Sequence, residues 1–115
     1  MHDYHQLQVW RAARALALDI YAVTRMLPAT ELYGLTSQMR RSAVSIAANI
    51  AEGAARGSAA DFRRFLRIAA GSASELETEL LIAGDAGLVE VEALRPLLDR
   101  VDHIRRMLIS LDRSS

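Results

Sequence analysis

Apolar side chains along most of this chain recur at alternating spacings of three and four residues, the period of one face of an α-helix. The longest run with this period follows Ser58, which predicts an N-cap there with Asp61 three residues later. A helix that is apolar on one face only must bury that face against a neighbour. The period therefore requires several helices packed together. The longest stripe comprises Phe62, Phe65, Leu66, Ala69, Ala73, Leu76, Leu80 and Ala83.

The chain is long enough for one domain, and its periodic runs are separated by short connections. Short connections favour antiparallel neighbours. We therefore expect a single all-α domain over residues 1–115, an antiparallel up-down-up-down four-helix bundle. The predicted helices span about 5–27, 36–54, 59–86 and 91–112.

Prolines and hydroxyls indicate where these helices begin and end. Pro28 should end the first helix, because proline lacks an N–H and disfavours helical geometry in the residue before it. Thr36 or Ser37 is expected to cap the second helix. Pro96 lies inside the fourth apolar pattern, so that helix is either kinked or split there.

Composition limits the chemistry that this chain can perform. Its 115 residues include no cysteine, which excludes disulfides, thiolate zinc sites and a cysteine nucleophile. The Glu-x-x-His pattern of di-iron bundles is absent, and no glycine-rich phosphate loop or catalytic triad is recognisable. We therefore predict no enzymatic activity, no catalytic residue, no metal and no cofactor.

The sequence also carries no signal for a membrane. No run approaches the ~20 apolar residues that a membrane span needs. The first residues lack a basic segment followed by an apolar one, so no secretory signal is visible. The expected location is the cytoplasm.

The charges balance overall but are separated along the chain. All 14 basic residues are arginine, against 14 carboxylates. Residues 36–70 contain six arginines and two carboxylates, whereas residues 71–94 contain six carboxylates and no basic residue. Each set is either a solvated helix face or a contact for a partner. The candidate nucleic-acid or interface contacts are Arg40, Arg41, Arg56, Arg63, Arg64 and Arg67, and the candidate acidic interface is Glu75, Glu77 and Glu79.

The stretch "SIAANIAEGAARGS", residues 45–58, is built mostly from alanine, glycine and serine. Such small side chains let a second helix approach closely. Asn49 falls on the apolar stripe of the second helix, and a buried amide must be hydrogen-bonded. Asn49, Glu52 and Gly53 are therefore predicted to be a structural motif that locks the second and third helices together, with a binding or catalytic role as the alternative.

A longer segment around this motif resembles a known family. The segment is "YGLTSQMRRSAVSIAANIAEGAARGSAADFRRFLRIAAGSASELETEL". It is similar to a widespread bacterial four-helix-bundle family, the proteins encoded within intervening sequences of 23S ribosomal RNA genes. The resemblance implies a ring-like homopentamer. It also implies kinship with the accessory proteins of diversity-generating retroelements, basic pentameric barrels that bind a reverse transcriptase and its RNA, from which this neutral chain departs.

Three functions are compatible with these observations. The first is a non-enzymatic helical scaffold that assembles with itself, with a homopentamer expected. The second is an RNA-binding accessory protein, for which a reverse transcriptase would be a partner. The third is an enzyme or ligand-binding protein whose site is not recognisable from its residues.

Overall fold

Residues 3–115 are described by a computed structural model of the chain. Four long helices account for most of them, and no strand occurs in this range. Consecutive helices pack side by side and the last closes against the first, giving a rod of 43 × 23 × 19 Å. The predicted all-α, up-down-up-down bundle is confirmed. The helices are α1 (Gln8–Thr24), α2 (Ser37–Ala55), α3 (Ala59–Asp85) and α4 (Val91–Ser114).

The core consists of one aliphatic stripe from each helix. These stripes follow the three-and-four spacing of the sequence, so that every helix places its apolar face on the shared axis. Burying a leucine or isoleucine side chain contributes about 1.5–3 kcal/mol, and these residues therefore provide most of the driving force for folding. The largest fully buried side chains are Leu16, Ile20, Met39, Ile46, Ile50, Leu66, Leu76, Leu80, Val101, Ile104 and Leu108.

Helix α1 is shorter at both ends than the predicted 5–27. Its expected first turn is a separate 3₁₀ turn, Tyr4–Gln6. At the other end the backbone tightens after Thr24, where the N–H of Leu27 donates to the Thr24 carbonyl at 3.2 Å, a three-residue step. Pro28 follows directly, and its ring disfavours α-helical geometry in Leu27. The helix therefore ends one turn before the proline.

The connection from α1 to α2 is itself helical. A 3₁₀ turn at Ala29–Glu31 leads into a π-helical turn at Leu32–Thr36, which continues into α2. The predicted hydroxyl cap of α2 is wrong, because Thr36 is already helical and makes no side-chain cap bond. The Glu31 carboxylate instead accepts from the N–H of Leu35 at 3.3 Å.

A tight turn joins α2 to α3. Gly57 has φ +86°, in the left-handed region that glycine adopts without steric cost. As predicted, the Ser58 hydroxyl then caps α3 by accepting from the N–H of Asp61 at 3.1 Å. Because the turn is so short, α3 runs back along α2 for the whole length of α2.

Helix α4 is continuous through Pro96. The proline is the sixth residue of the helix, so it removes only the hydrogen bond to the carbonyl one turn earlier. The preceding turn is closed by Gly87, with φ +74°, and by the N–H of Leu88 donating to Ala83 at 3.0 Å. This Schellman-type end satisfies the last carbonyls of α3. Because α4 runs unbroken through Pro96, the alternative of two separate helices in this segment is wrong.

Gly53 is the point of closest approach between α2 and α3. A Cβ added there would lie 2.7 Å from the Cβ of Phe65 and 3.3 Å from the carbonyl oxygen of Phe62. We expect Gly53→Ala to destabilise the fold by about 1–3 kcal/mol through overpacking, although alanine is the better helix former. Urea denaturation followed by circular dichroism measures this change.

Gly84→Ala is the matched control. A Cβ there would meet only the end of the Leu94 side chain, at 2.8 Å, and that side chain can rotate away. The Gly84 variant should therefore lose less stability than the Gly53 variant. Equal losses would show that the backbone contact at Gly53 is not the tighter constraint.

Candidate interaction surface

A short hydrogen-bonded network crosses the seam between α2 and α3. The hydroxyls of Ser45 on α2 and Ser72 on α3 lie 2.8 Å apart. The side-chain amide of Asn49 donates to the carbonyl and to the hydroxyl of Ser45, at 2.8 and 2.9 Å. Small side chains make this possible, because a larger residue at either serine would hold the two backbones apart.

Asn49 and Glu52 do not join the two helices directly. Asn49 is half-buried and donates only within α2, so it reaches α3 through Ser45. Glu52 is exposed and pairs with Arg56, one turn later on the same helix, at 3.3 Å. The contacts that lock α2 to α3 are the serine pair and the close approach at Gly53.

Glu79 is the one residue of the predicted acidic group that faces the seam. Its Oε2 accepts from the Ser42 hydroxyl at 3.3 Å, while its Oε1 is buried without a partner. Burial raises the pKa of Glu79, the bond from Ser42 opposes this, and the nearby Glu75 charge adds to the rise. The ionised form of Glu79 is therefore under-satisfied in the folded chain.

The three predicted acidic residues do not form one patch. Glu77 pairs with Arg105 on α4, with an Nη2–Oε2 distance of 3.1 Å. Glu79 turns toward α2, as described above. Glu75 is exposed, and no ion pair to it exists within residues 3–115. Only Glu75 is thus free for a partner.

The predicted arginines lie at two separate ends of the rod. Near the α2–α3 turn, Arg67 pairs with Asp112 at 3.1 Å. Arg56 and Arg64 both lie over the ring of Phe65, at 5.1 and 5.0 Å from its centroid. Arg63 is exposed, with no carboxylate partner in the described part of the chain.

The other two arginines lie at the start of α2. Arg40 donates to the Thr24 hydroxyl at 2.8 Å and lies 4.7 Å from the ring centroid of Tyr21. These two contacts fix it against α1. Arg41 is exposed, and within residues 3–115 it forms no ion pair. The six arginines therefore do not form a single basic surface.

An apolar groove runs between α1 and α2, and the sequence analysis missed it. It consists of two adjoining hollows of about 360 and 660 Å³, which share Tyr21 and Val44. Leu18 is 66% exposed there and Val44 is 46% exposed. The signal in the sequence was a second stripe of small apolar residues on α2, opposite its core stripe. The groove is lined chiefly by Trp10, Leu18, Tyr21, Val44, Ala48 and Ala51.

A second unpartnered stripe lies on α3, beside the residues that contact α2. We call it the α3 ridge; it contains Ile68, Gly71, Glu75 and Ile82, spaced as one helical face. Ile68 is 39% and Ile82 is 50% exposed. Gly71 is exposed, and a Cβ there would meet nothing within 4 Å. No contact within the described chain therefore requires glycine at this position.

Residues 3–115 contain neither a cluster of metal-binding side chains nor a membrane-spanning helix. No group of three or more histidine, aspartate or glutamate side chains is arranged to hold a metal ion. No helix in this range is long and apolar enough to cross a membrane.

Because the pKa of Glu79 is raised, the stability of the folded chain depends on pH. Above that pKa the ionised carboxylate destabilises the folded chain, and the penalty disappears as protons bind at lower pH. We expect Glu79→Gln to raise the thermal midpoint at pH 7. The gain should shrink as the pH falls toward the ordinary glutamate pKa of about 4.3, because below that value the carboxyl is protonated in both the folded and the unfolded state.

Thermal melts between pH 4 and pH 7 test this expectation. Asp99→Asn removes a charge from an exposed position on α4 and serves as the control. A gain for Glu79→Gln that is the same at pH 4 and pH 7 would contradict the prediction.

Comparison with known proteins agrees with the geometry of the fold. Residues 5–110 match the family model of the 23S rRNA-intervening sequence proteins. The search of curated proteins finds no match. A crystal structure of a protein of unknown function from the S23 ribosomal protein family of Bacteroides thetaiotaomicron is similar, with a TM-score of 0.83 and 28% identity over 90% of this chain and 97% of that one. The chain belongs to the family of 23S rRNA-intervening sequence proteins.

Proposed function

We propose that this protein is a non-enzymatic helical scaffold that assembles with copies of itself. The observation that carries this proposal is Gly71. Glycine in the interior of a helix costs about 1 kcal/mol relative to alanine, and Gly71 lies in the middle of the 27-residue α3. Because nothing within the subunit occupies the space beside it, the position is best explained by another helix that approaches from outside.

The surfaces around Gly71 and along α1–α2 support the same proposal. Each exposes large apolar side chains, and burying them against another copy is favourable at roughly 25 cal/mol per Å². The groove is concave, whereas the α3 ridge is a convex helix face with exposed Ile68 and Ile82 on either side of Gly71. The two surfaces are therefore complementary in shape as well as in polarity.

The position of the two surfaces favours a closed ring. Helix α2 lies between α1 and α3 in the bundle, so the groove and the α3 ridge face directions that differ by about a right angle in a four-helix bundle. A contact between unlike surfaces repeats from copy to copy and closes when the rotations complete a circle. When each copy is rotated by about a right angle from the one before it, the ring closes after four or five copies. This number is compatible with the homopentamer that we propose.

The polar groups of the α2–α3 seam support a structural role over a catalytic one. The hydroxyls of Ser45 and Ser72 bond to each other, and the amide of Asn49 bonds to Ser45. A nucleophilic serine would instead need an adjacent base to activate it. The network therefore stabilises the packing of the helices that present the groove and the α3 ridge.

Light scattering tests assembly directly. At micromolar concentration the parent chain should have a mass several times 12.7 kDa. Gly71→Leu should lower that mass, because the added side chain fills the space that a neighbouring copy needs, while circular dichroism should still show a folded helical chain.

Ala60→Leu provides the matched control for this experiment. Ala60 is an exposed residue in the first turn of the same helix, so its substitution should leave the mass unchanged. A parent chain that runs as a single species at monomer mass would remove the basis of the proposed function.

RNA binding is a second candidate function. The observation that favours it is the pair Arg63 and Arg64, which are exposed near the α2–α3 turn without a carboxylate partner in the described chain. Arginine can bind phosphate with two parallel hydrogen bonds, and a ring would place several copies of this pair together. A reverse transcriptase and its RNA are the partners that this candidate would imply.

Fluorescence anisotropy with a labelled RNA separates the two candidates. For the scaffold we expect weak binding at most near physiological salt. If the arginines bind phosphates, log K should fall against log salt with a slope of about −0.7 per phosphate contact on single strands. Tight binding that is abolished by Arg63→Glu with Arg64→Glu, and retained in Asp99→Asn, would favour RNA binding as the main function.

A further inference from the structure

We propose that Glu75 of one copy pairs with Arg41 of the next copy, and that this ion pair sets how the α3 ridge seats in the α1–α2 groove. The inference rests on the proposed function, since it requires a closed assembly. It identifies the partner as a second copy of this chain and names the charged residues that align the two surfaces.

Both side chains are available for an external partner. Glu75 lies on the α3 ridge between Gly71 and Ile82, and Arg41 lines the wider hollow of the groove. Each is exposed, and neither forms an ion pair within residues 3–115. Their immediate charged neighbours, Arg40 and Glu79, are already held by hydrogen bonds inside the subunit.

The register of α2 and α3 places the two charges within one helical turn of each other along the rod. Ser72 is level with Ser45, since their hydroxyls are 2.8 Å apart. Glu79 is level with Ser42, since they are hydrogen-bonded at 3.3 Å. Glu75 lies between these two levels on α3, so it is level with the segment 42–45 of α2, within one helical turn of Arg41.

Ring closure then converts this internal register into a contact between copies. A closed ring has no net rise, so residues that meet across the contact are at the same height along the ring axis. When the rods stand parallel to that axis, Glu75 of one copy faces Arg41 of the next. The same rule places Gly71 near the level of Val44 and Ala48, in the smaller hollow of the groove, where the α2 side is lined by small residues.

The division of roles follows from the chemistry of the two surfaces. The isoleucines of the α3 ridge and the apolar lining of the groove supply most of the attraction. The ion pair excludes shifted or reversed arrangements, because these would separate Glu75 from Arg41 and leave each charge without an opposite charge across the contact.

A charge-swap experiment tests the pair. We expect Glu75→Arg or Arg41→Glu to raise the concentration at which the assembly dissociates by about tenfold, since each places like charges opposite one another. The double variant, Glu75→Arg with Arg41→Glu, should recover most of the parent affinity. Analytical ultracentrifugation across a dilution series measures all three, and circular dichroism checks that each variant is folded.

Controls keep this inference separate from the proposed function. Asp99→Arg and Arg63→Glu make the same charge changes at exposed positions outside the two surfaces and should leave assembly unchanged. A monomeric parent chain would overturn the proposed function itself. A parent assembly that tolerates both single swaps, or that the double variant fails to restore, would overturn only the Glu75–Arg41 pair.

The absence of native cysteine allows a second, independent measurement. Chains carrying Glu75→Cys, mixed with chains carrying Arg41→Cys, should form disulfide-linked mixed dimers under mild oxidation, because the two positions face each other across the contact. Each variant alone should cross-link much less. Equal cross-linking of Ala60→Cys with Arg41→Cys would contradict the proposed register.

Discussion

The close approach of α2 and α3 is the constraint on which the rest of the structure depends. At Gly53 the backbone of α2 comes so near to Phe62 and Phe65 that no side chain fits. This contact fixes the distance between the helices. The pair of Ser45 and Ser72, about two helical turns away, fixes their register. Since α1 and α4 pack onto this hairpin, the positions of the groove and of the α3 ridge both follow from it.

Polar groups at the seam specify the arrangement more than they stabilise it. Removal of the Asn49 amide would leave no buried group unpaired, because the Ser45 hydroxyl keeps its bond to Ser72. Glu79 is under-satisfied, and its raised pKa means that the protonated form suits the folded state better than the ionised form does. Small side chains and matched hydroxyls thus select one register, whereas aliphatic burial supplies the free energy.

The fold could be predicted from the sequence because helical period, glycine turns and the Ser58 cap all act locally. The helix bounds near Pro28 were predicted less well. The backbone changes to three-residue hydrogen bonds before the proline and forms 3₁₀ and π-helical turns after it. The partners of the charged residues could not be predicted. Whether Glu77 meets Arg105, or Arg40 meets Tyr21, depends on helix rotations that spacing along one helix does not determine. The groove was not predicted, because the small residues of α2 indicate close packing but do not show that side chains of α1 would line a hollow beside them.

Helix α2 makes a different kind of contact on each of its faces. One face fills the core, one carries the serine and asparagine network, and the outer one lines the groove. Few of its positions are therefore free to vary without loss of folding, register or surface shape. Amino-acid substitutions between relatives should therefore be frequent at the exposed positions of α4 and rare in α2. A distant relative should be recognisable from α2 and the turn that follows it.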